Sequence, residues 1–443
     1  MENKFSRRDL LKFSATAGSV ILTNKLSQGS QGGGQPIRIG FVGVGDRGSY
    51  HLDAALGIEG VEVPALCDVK DSYLYRAKRW VEEAGQPSPS LYGQNETDFE
   101  RLCQEEDLDL VVCSTSWKWH APVCIAAMKN GKNAVTEVPM MLTLDEGWEL
   151  IETAESTGKW ASIGLEQALL EEGPYMALLN MVRQGLLGEL LHCEGGYVHD
   201  LRLVKFDPER EPWRLQHSVN RNGNLYPDHP MNIIMALLDL NHGDRIEYLV
   251  SMSSKAVMLS KYAKEYYGQD HPYSKQPMAQ GDYNASLLRT SAGKMITLNF
   301  DTNTPHPREL FRVQGTKGVF FDGEELGAKI YIEGRSPEEH HWEDFKSYAE
   351  EYIHPFVKNY NPAPRKALRG HGGRNTQTPL TWHLLVKALR EGNTTYFDVY
   401  DSVTSSAVSP LSEMSVANRS QPVDFPDFTK GKWKTRPPID FSG

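Results

Sequence analysis

Three glycines near the start of the chain have the spacing of a phosphate-binding turn. They occur as Gly43-Val-Gly45-Asp-Arg-Gly48, directly after the apolar run Ile37–Val42, which has the composition of a buried strand. The first glycine of such a turn allows a tight bend, the second lets the backbone approach a pyrophosphate, and the third lets the next helix pack closely. The helix N-terminus then offers free N–H groups to the phosphates. We therefore predict that this turn binds a cofactor through Gly43, Gly45, Asp46, Arg47 and Gly48.

A carboxylate follows the next apolar run at the distance expected for a dinucleotide. The run Val61–Cys67 ends in Asp68, twenty residues after Gly48. At that position Asp68 can accept hydrogen bonds from the adenosine ribose, and it would repel a 2′-phosphate. The pattern predicts NAD rather than NADP. The alternative reading is an ordinary strand, turn and helix without a ligand.

Two later strand ends carry unusual side chains. Ser116-Trp117-Lys118-Trp119-His120 follows one apolar run, and Glu137-Val138-Pro139 follows the next. Ligands of open parallel sheets bind at the carboxyl ends of the strands. We expect Trp117, Trp119, His120, Glu137 and Val138 near the nicotinamide, although packing inside the loop would equally explain the two tryptophans.

The second half of the chain has a long segment rich in arginine, tyrosine and histidine. It runs from Trp213-Arg214 to Tyr226-Pro-Asp-His229 and leads into an apolar stretch, Met231–Leu238. A preceding strand-like run, Leu190–Asp200, contains Tyr197. Loops on a rigid scaffold commonly carry functional groups, so this segment is a good place for chemistry.

The elements that must position these residues fall into two groups. Strand and helix patterns alternate over residues 36–164, which predicts an α/β Rossmann-type, doubly wound parallel sheet. Residues 165–443 contain several strand-like runs without that alternation, which predicts an α+β domain with an open, mostly antiparallel sheet. The strand candidates of the first group are Ile37–Val42, Val61–Cys67, Leu108–Ser114, Asn133–Glu137 and Trp160–Gly164. Those of the second include Arg245–Ser253, Lys294–Asp301, Leu310–Gln314, Gly318–Phe321 and Ala328–Glu333.

The composition excludes several classes of protein. The 443 residues carry a net charge of −11, which argues against nucleic acid as the main partner. The five cysteines have no C-x-x-C spacing, so we predict small buried side chains and no metal site. No segment is apolar enough for a stable membrane span.

The N-terminus resembles an export signal. Arg7 and Arg8 precede a short, mildly apolar stretch, and a spacer rich in Gly, Gln and Ser follows. We predict that residues 1–35 are a twin-arginine signal with its spacer and that the mature protein is periplasmic or extracellular. A basic, frayed terminus is the alternative.

Many short segments, spread over nearly the whole mature chain, resemble glycoside hydrolase family 109. This family comprises NAD-dependent retaining enzymes typified by α-N-acetylgalactosaminidases, and it belongs to the broad group of glucose–fructose oxidoreductase and inositol dehydrogenase. The most specific segments are Gly195-Gly-Tyr197-Val-His-Asp-Leu-Arg202 and Asn220-Arg-Asn-Gly-Asn-Leu-Tyr226-Pro-Asp-His229. Others are Trp117-Lys-Trp-His120, Glu137-Val138, Trp213-Arg214, Val313-Gln-Gly-Thr, Gly370-His-Gly-Gly and Asp398-Val-Tyr-Asp401.

The resemblance implies a redox-neutral mechanism with a tightly bound, recycled NAD⁺. In this family the sugar is oxidised at C3, the C2 proton is removed, the aglycone leaves from C1, water adds, and the alcohol is restored. By resemblance His229 is the base for the C3 hydroxyl and Tyr197 the base at C2, while Arg214 and Tyr226 hold the sugar. An unperturbed histidine, with a pKa near ~6.5, suits this role. A tyrosine near ~10 needs a cationic neighbour.

Two segments depart from the pattern of family 109, and one residue separates the chain from the sugar dehydrogenases of the broader group. Gln167 stands where a cofactor-contacting asparagine is expected, and Thr304–Arg308 replaces a segment with a substrate-contacting tyrosine. Val138 stands where sugar dehydrogenases of the broader group have a lysine. The resemblance therefore favours a glycosidase acting on a small or glycan-terminal sugar. An NAD-dependent sugar or cyclitol dehydrogenase, or a non-catalytic sugar-binding protein, is the alternative. A homodimer through the exposed sheet is a further expectation from the family.

Overall fold

The computed structural model describes residues 35–166, 168–170, 174–208, 210–307, 311–323, 326–360 and 379–441. Two predicted segments, Thr304–Arg308 and Leu310–Gln314, lie partly outside the described residues, and three further predictions lie almost wholly outside them. The three are the export signal, the cofactor contact of Gln167 and the segment Gly370-His-Gly-Gly.

The first group of elements forms a six-stranded parallel sheet with the strand order β3-β2-β1-β4-β5-β6. The predicted Rossmann-type sheet is confirmed, and all five predicted strands are present, two with the predicted ends and three shorter than predicted. The added strand, β3, has three residues and is too short to show a pattern. The elements are β1 (Ile37–Val42), α1 (Asp46–Leu56), β2 (Val61–Cys67), α2 (Asp71–Glu83), β3 (Ser90–Tyr92), α3 (Phe99–Glu105), β4 (Leu110–Cys113), α4 (His120–Lys129), β5 (Asn133–Thr136), α5 (Leu144–Thr157) and β6 (Ala161–Ser162).

Sequence patterns explain why these elements form. β4 is buried along its whole length, as expected for a strand covered on both faces. α2 buries Leu74, Ala77 and Val81, which share one face at helical spacing. α5 starts with a capping box in which Thr143 and Glu146 each bind the backbone of the other.

The second group forms a nine-stranded sheet with the order β14-β13-β12-β11-β7-β10-β9-β8-β15. β7 and β10 are parallel and the other neighbours antiparallel, which confirms the predicted mostly antiparallel sheet. The sequence did not predict β9, because its short polar residues obscure the pattern of a strand. The elements are α6 (Tyr175–Arg183), β7 (Leu190–Val198), α7 (Arg202–Phe206), α8 (Trp213–Asn220), α9 (Asp228–Leu238), β8 (Ile246–Ser253), α10 (Met258–Tyr267), α11 (Pro272–Lys275), β9 (Asn284–Thr290), β10 (Met295–Asp301), β11 (Phe311–Gly315), β12 (Gly318–Asp322), β13 (Ala328–Ile332), β14 (Glu343–Asp344), α12 (Lys346–Glu351), α13 (Pro355–Asn359), α14 (Leu380–Glu391), α15 (Val399–Ala417) and β15 (Val423–Asp424).

Two late helices tie the halves together. α14 returns to the first sheet, where Trp382 stacks on Phe41 with ring centres 6.2 Å apart. α15 is mostly buried, and its serine hydroxyls accept hydrogen bonds from backbone N–H groups of separate loops. These contacts include Ser402 with Ile163 at 3.1 Å and Ser412 with Asn224 at 2.8 Å. The polar face of α15 therefore holds loops from both halves in fixed positions.

The C-terminal tail is anchored by buried apolar side chains. Phe425, Phe428, Ile439 and Phe441 are buried.

All five cysteines are buried and free, which confirms their predicted role as small core side chains. Among the described helices, none combines the length and apolar character needed to cross a bilayer.

Candidate active site

The glycine turn has the shape that its sequence predicts. Gly43 has a φ of +81°, which favours glycine. A Cβ atom on Gly48 would lie 1.9 Å from the carbonyl oxygen of Gly43, so only glycine lets α1 start this close to β1. At Gly45 a Cβ would lie 3.2 Å from the Tyr73 ring. Arg76, which the sequence did not indicate, donates hydrogen bonds to the carbonyl oxygens of Val44 and Gly45 at 2.6 and 3.0 Å.

Asp68 is attached to the same turn. Its Oδ2 accepts a hydrogen bond from the Val44 N–H at 2.8 Å, and its Oδ1 accepts one from the Lys70 N–H at 2.9 Å. Burial raises the pKa of Asp68, and these N–H groups oppose that change. Each carboxylate oxygen keeps acceptor capacity for a ribose hydroxyl.

Glu137 binds two residues of α1. Its Oε1 accepts hydrogen bonds from Arg47 Nε at 2.7 Å and from His51 Nε2 at 2.6 Å. The indole N–H of Trp382 donates to His51 Nδ1 at 3.1 Å, so a neutral His51 carries its proton on Nε2. Burial alone would raise the pKa of Glu137, but Arg47 and His51 outweigh it and hold that pKa well below its usual range. Glu137 is therefore an ionised carboxylate that fixes the N-terminal half of α1.

The remaining residues that were predicted to lie near the nicotinamide are packed or buried in separate places. His120 is buried, with Nδ1 2.7 Å from the Pro139 carbonyl oxygen, and burial lowers its pKa. Trp119 packs edge-on against Phe99, and Val138 is buried. Trp117 packs against the second half of the chain, where it stacks on Tyr226 with ring centres 5.2 Å apart.

The structure brings Tyr197, Tyr226 and His229 together. The Tyr197 and His229 rings stack with centres 5.0 Å apart and an interplanar angle of 17°. Tyr226 lies edge-on to both, with its ring centre 4.5 Å from that of Tyr197 and 4.9 Å from that of His229. The Tyr197 hydroxyl lies 3.2 Å from His199 Nδ1. Residues that are far apart in sequence thus form one aromatic cluster with titratable groups.

Glu166 also belongs to this cluster, although the sequence analysis did not predict it as a site residue. Its Oε2 lies 2.7 Å from His229 Nδ1, and its Oε1 accepts a hydrogen bond from the Ala168 N–H at 2.8 Å. Burial favours a raised pKa for Glu166, but His229 and this N–H lower it. The charged carboxylate orients the imidazole so that Nδ1 carries a proton. A signal was present, because Glu137 comes directly after β5 and Glu166 comes shortly after β6.

The start of α9 positions His229. The buried Asp228 accepts hydrogen bonds through Oδ1 from Ser405 Oγ at 2.9 Å and Ser406 Oγ at 2.7 Å. Burial raises the pKa of Asp228 to about 6. Ser406 Oγ also accepts the Met140 N–H at 2.9 Å. α15 therefore links the loop after β5 to the helix that carries His229.

Arg214 lies among aromatic rings. Its guanidinium carbon is 4.6 Å from the Trp213 ring centre, 5.2 Å from that of Trp117 and 5.5 Å from that of Tyr226. Glu211 binds its Nε. Arg214 places a positive charge close to the Tyr226 and Tyr197 hydroxyls. Among the described residues, no cluster of three or more His, Cys, Asp or Glu side chains has the arrangement of a metal site.

Comparison with known families agrees with the division of the chain into two halves, one for each sheet. The model described as "Oxidoreductase family, NAD-binding Rossmann fold" matches residues 37–165. The model described as "Glycosyl hydrolase 109, C-terminal domain" matches residues 173–435. The chain belongs to glycoside hydrolase family 109.

Curated relatives support the family assignment over nearly the whole chain. A glycosyl hydrolase family 109 protein of Solibacter usitatus (strain Ellin6076) is 40% identical, with 99% of this chain and 100% of the relative covered. One from Shewanella baltica (strain OS185) is 38% identical, with 92% and 88% covered.

Solved structures share the fold at lower sequence identity. An oxidoreductase domain protein from Kribbella flavida is 20% identical, with a TM-score of 0.66, and the match covers 88% of this chain and 100% of that one. Levoglucosan dehydrogenase in complex with NADH and L-sorbose is 18% identical, with a TM-score of 0.66 and coverage of 89% and 100%. The resemblance to family 109 and the Rossmann-type, NAD-binding domain predicted from sequence are thereby confirmed.

Proposed function

We propose that this family 109 enzyme hydrolyses α-N-acetylgalactosaminides or related glycosides by an NAD⁺-dependent cycle of oxidation, elimination, hydration and reduction with net retention. The observation that carries the proposal is the stacked pair of Tyr197 and His229, with Glu166 bound to His229. Simple sugar binding needs neither a tyrosine nor a histidine held in this way. Two-carboxylate hydrolysis would leave the dinucleotide site without a purpose.

The residues of the glycine turn fit NAD. A side chain at Gly48 would collide with the turn itself, and Asp68 is fixed beside Val44 with acceptor capacity for a ribose. When bound, NAD⁺ supplies the oxidation of the sugar carbinol and its later reversal, and we propose that it is held tightly and recycled. We further propose that Glu137 and the loops with Trp117, Trp119, His120 and Val138, together with Gln167, line the nicotinamide side.

The chain's own groups then perform the proton transfers. His229, oriented by Glu166, takes the proton of the C3 hydroxyl during oxidation and returns it during reduction. Tyr197, next to the charge of Arg214, removes the C2 proton, and the aglycone leaves from C1. Arg214 and Tyr226 hold the sugar, because a guanidinium and a phenol match its hydroxyl groups.

A net sugar or cyclitol dehydrogenase is the second candidate. Levoglucosan dehydrogenase shares the fold, and His229 would serve such an enzyme as a base. The buried Val138 argues against it, because the lysine that dehydrogenases of this group use is absent there.

Hydrogen exchange at C2 tests the proposed elimination. Turnover of an aryl α-N-acetylgalactosaminide in deuterated water should give product with deuterium at C2, measured by NMR. The variant Tyr197→Phe should lose turnover and exchange together, by roughly 10²–10⁴-fold, and should keep its NAD. Product without deuterium at C2 would exclude elimination.

Export through the twin-arginine pathway is also a proposal, based on Arg7 and Arg8. Replacing both with lysine should leave the precursor in the cytoplasm of an expressing bacterium, as measured by cell fractionation. Unchanged export of that variant would contradict the export proposal.

We also propose a homodimer. Light scattering of the purified protein checks it, and a monomeric mass would contradict it.

A further inference from the structure

A second histidine contacts the tyrosine of the catalytic cluster. His199 Nδ1 lies 3.2 Å from the Tyr197 hydroxyl, and the two rings meet edge-on with centres 5.8 Å apart and an interplanar angle of 70°. His229 stacks on the face of the same tyrosine ring instead. The two histidines therefore contact different parts of Tyr197. His199 contacts the hydroxyl, which must lose its proton before a tyrosine can act as a base.

The end of β7 fixes this contact. Tyr197 lies in β7 and His199 comes one residue after its end, so the spacing of two places both side chains on the same face of the sheet. Tyr197 is paired with Phe300 of the parallel strand β10. The pairing continues past β7, because the His199 N–H donates to the Asp301 carbonyl oxygen at 2.8 Å. The backbones of both residues are therefore held by one neighbouring strand.

The surroundings suit a transient pair of phenolate and imidazolium. Tyr197 is 7% exposed, so its phenolate needs a compensating charge, and Arg214 places one close to it. His199 is partly exposed, so its imidazolium would stay in contact with solvent. Burial raises the pKa of Tyr226, which borders the same small cavity as Tyr197, so that phenol stays neutral.

The other charged groups around the contact occur in acid–base pairs. Burial alone would raise the pKa of Asp200, but Arg202 binds it at 2.7 Å and lowers that pKa. The remaining pairs are Glu166 with His229, Asp301 with His306, and Glu211 with Arg214. All of them are present both in the wild-type enzyme and in a variant of His199. A difference in pH dependence between the two therefore reports on His199.

We propose that His199 takes the hydroxyl proton of Tyr197 and so converts this tyrosine into the phenolate that removes the C2 proton of the sugar. The proposal rests on the proposed function, because His199 acts through Tyr197, the proposed base at C2. His199 does not touch the sugar. It is a positioning residue that sets the protonation state of the group that does.

The proton transfers balance over one cycle. The Tyr197 phenol donates to Nδ1, so a neutral His199 starts with its proton on Nε2. The O–H bond breaks and an Nδ1–H bond forms, which leaves a phenolate beside an imidazolium. The phenolate takes the C2 proton, and the electron pair of that C–H bond passes into the enolate of the C3 ketone. After water has added at C1, Tyr197 returns a proton to C2 and His199 returns its proton to Tyr197.

The pH dependence of the variant His199→Asn tests the proposal. The asparagine amide can keep a hydrogen bond to Tyr197, but it cannot take a proton. At pH 7, kcat for an aryl α-N-acetylgalactosaminide should fall by about 10- to 100-fold. Tyr197 must then lose its proton directly to solvent, so the ratio of variant to wild-type kcat should rise with pH towards the range of a free tyrosine, near ~10.

Two results would overturn the proposal. One is a wild-type kcat in His199→Asn. The other is a loss of kcat by the same factor at every pH, which is what a purely structural role of His199 predicts. The ratios at different pH values come from one preparation of each protein, so the folded fraction cancels. His199→Gln, which also cannot take a proton, should show the same rise with pH.

A deuterium isotope effect identifies the step that His199 assists. With deuterium at C2 of the substrate, His199→Asn should turn over more slowly at pH 7 than with hydrogen, because removal of this proton limits its rate. A variant without an isotope effect at C2 would contradict the proposal. Wild-type enzyme that does not cleave the glycoside would instead refute the proposed function itself, so the two failures are distinguishable.

The matched control is His192→Asn. His192 also lies on β7, and its Nε2 is 2.9 Å from Thr297 Oγ1 of β10. It is a partly buried histidine of the same strand with a hydroxyl partner outside the catalytic cluster. His192→Asn should keep the wild-type kcat and its pH dependence. If its kcat ratio rose with pH as in His199→Asn, the assignment to His199 would be wrong.

Discussion

Two carboxylate–histidine pairs of the described residues, Glu137–His51 and Glu166–His229, differ in how their histidines are held. In the first, Glu137 binds His51, whose side chain is 0% exposed and whose other nitrogen accepts the Trp382 N–H. In the second, Glu166 binds His229, whose side chain is 23% exposed and stacks on Tyr197. The carboxylate–histidine distances are 2.6 and 2.7 Å.

The difference shows that a short contact does not by itself indicate a catalytic group. His51 has both nitrogens bound, one to Glu137 and the other to Trp382, and it is fully buried, so no substrate group can reach it. His229 lies at the start of a helix beside a cavity with Tyr197 and Tyr226. We infer that Glu137–His51 stabilises the cofactor-binding half and that Glu166–His229 moves protons.

The largest expected effect comes from His229→Ala. Turnover of an aryl glycoside should fall by about 10²–10⁴-fold, because the general base is lost. Bound NAD, measured after denaturation, should remain. The matched variant His51→Gln should lower the melting temperature, while the kcat of its folded fraction should fall much less than the kcat of His229→Ala. If His229→Ala keeps wild-type turnover, the comparison between the pairs is wrong.

A smaller loss is expected from Glu166→Gln. The imidazole remains, but the charge that sets its tautomer is gone, so kcat should fall by about 10- to 100-fold. The acidic limb of the pH–rate profile should also shift, which loss of folding alone would not cause. An unchanged profile with normal kcat would assign Glu166 a packing role.

Glu137→Gln should instead affect stability. It leaves Arg47 partly buried without its ion pair, so the free energy of unfolding at pH 7 should fall by about 2–4 kcal/mol, as measured with urea. The activity of the folded fraction should change less than in Glu166→Gln. A variant as stable as the wild type would show that the Glu137 pair contributes little.

The lowered pKa of Glu137 also predicts a modest dependence of folding stability on pH. The pKa of Glu137 is lower in the folded state than in the unfolded state. The stability it contributes is therefore present above the unfolded value, near ~4.3, and is lost as the pH falls through the lower folded value. The difference between wild type and Glu137→Gln should shrink below about pH 4. A constant difference would contradict this assignment.

The sequence predicted the residues of the glycine turn better than those around His229. The separation in sequence between contacting residues explains why. The glycine turn is local, so Gly43, Gly45 and Gly48 could be interpreted from spacing alone. Tyr197 and His229 were indicated by a family resemblance, but the contact between Glu166 and His229 joins residues 63 positions apart. Only the folded sheet and α15 bring such residues together.

The most direct test of the account uses purified protein without added cofactor. An aryl α-N-acetylgalactosaminide would be supplied while nitrophenolate release and the absorbance of reduced nicotinamide are recorded together. The account predicts continuous release without net NADH, because the resident NAD⁺ is restored in each cycle. Stoichiometric NADH on addition of NAD⁺ and free sugar, without nitrophenolate release, would contradict it and indicate a dehydrogenase.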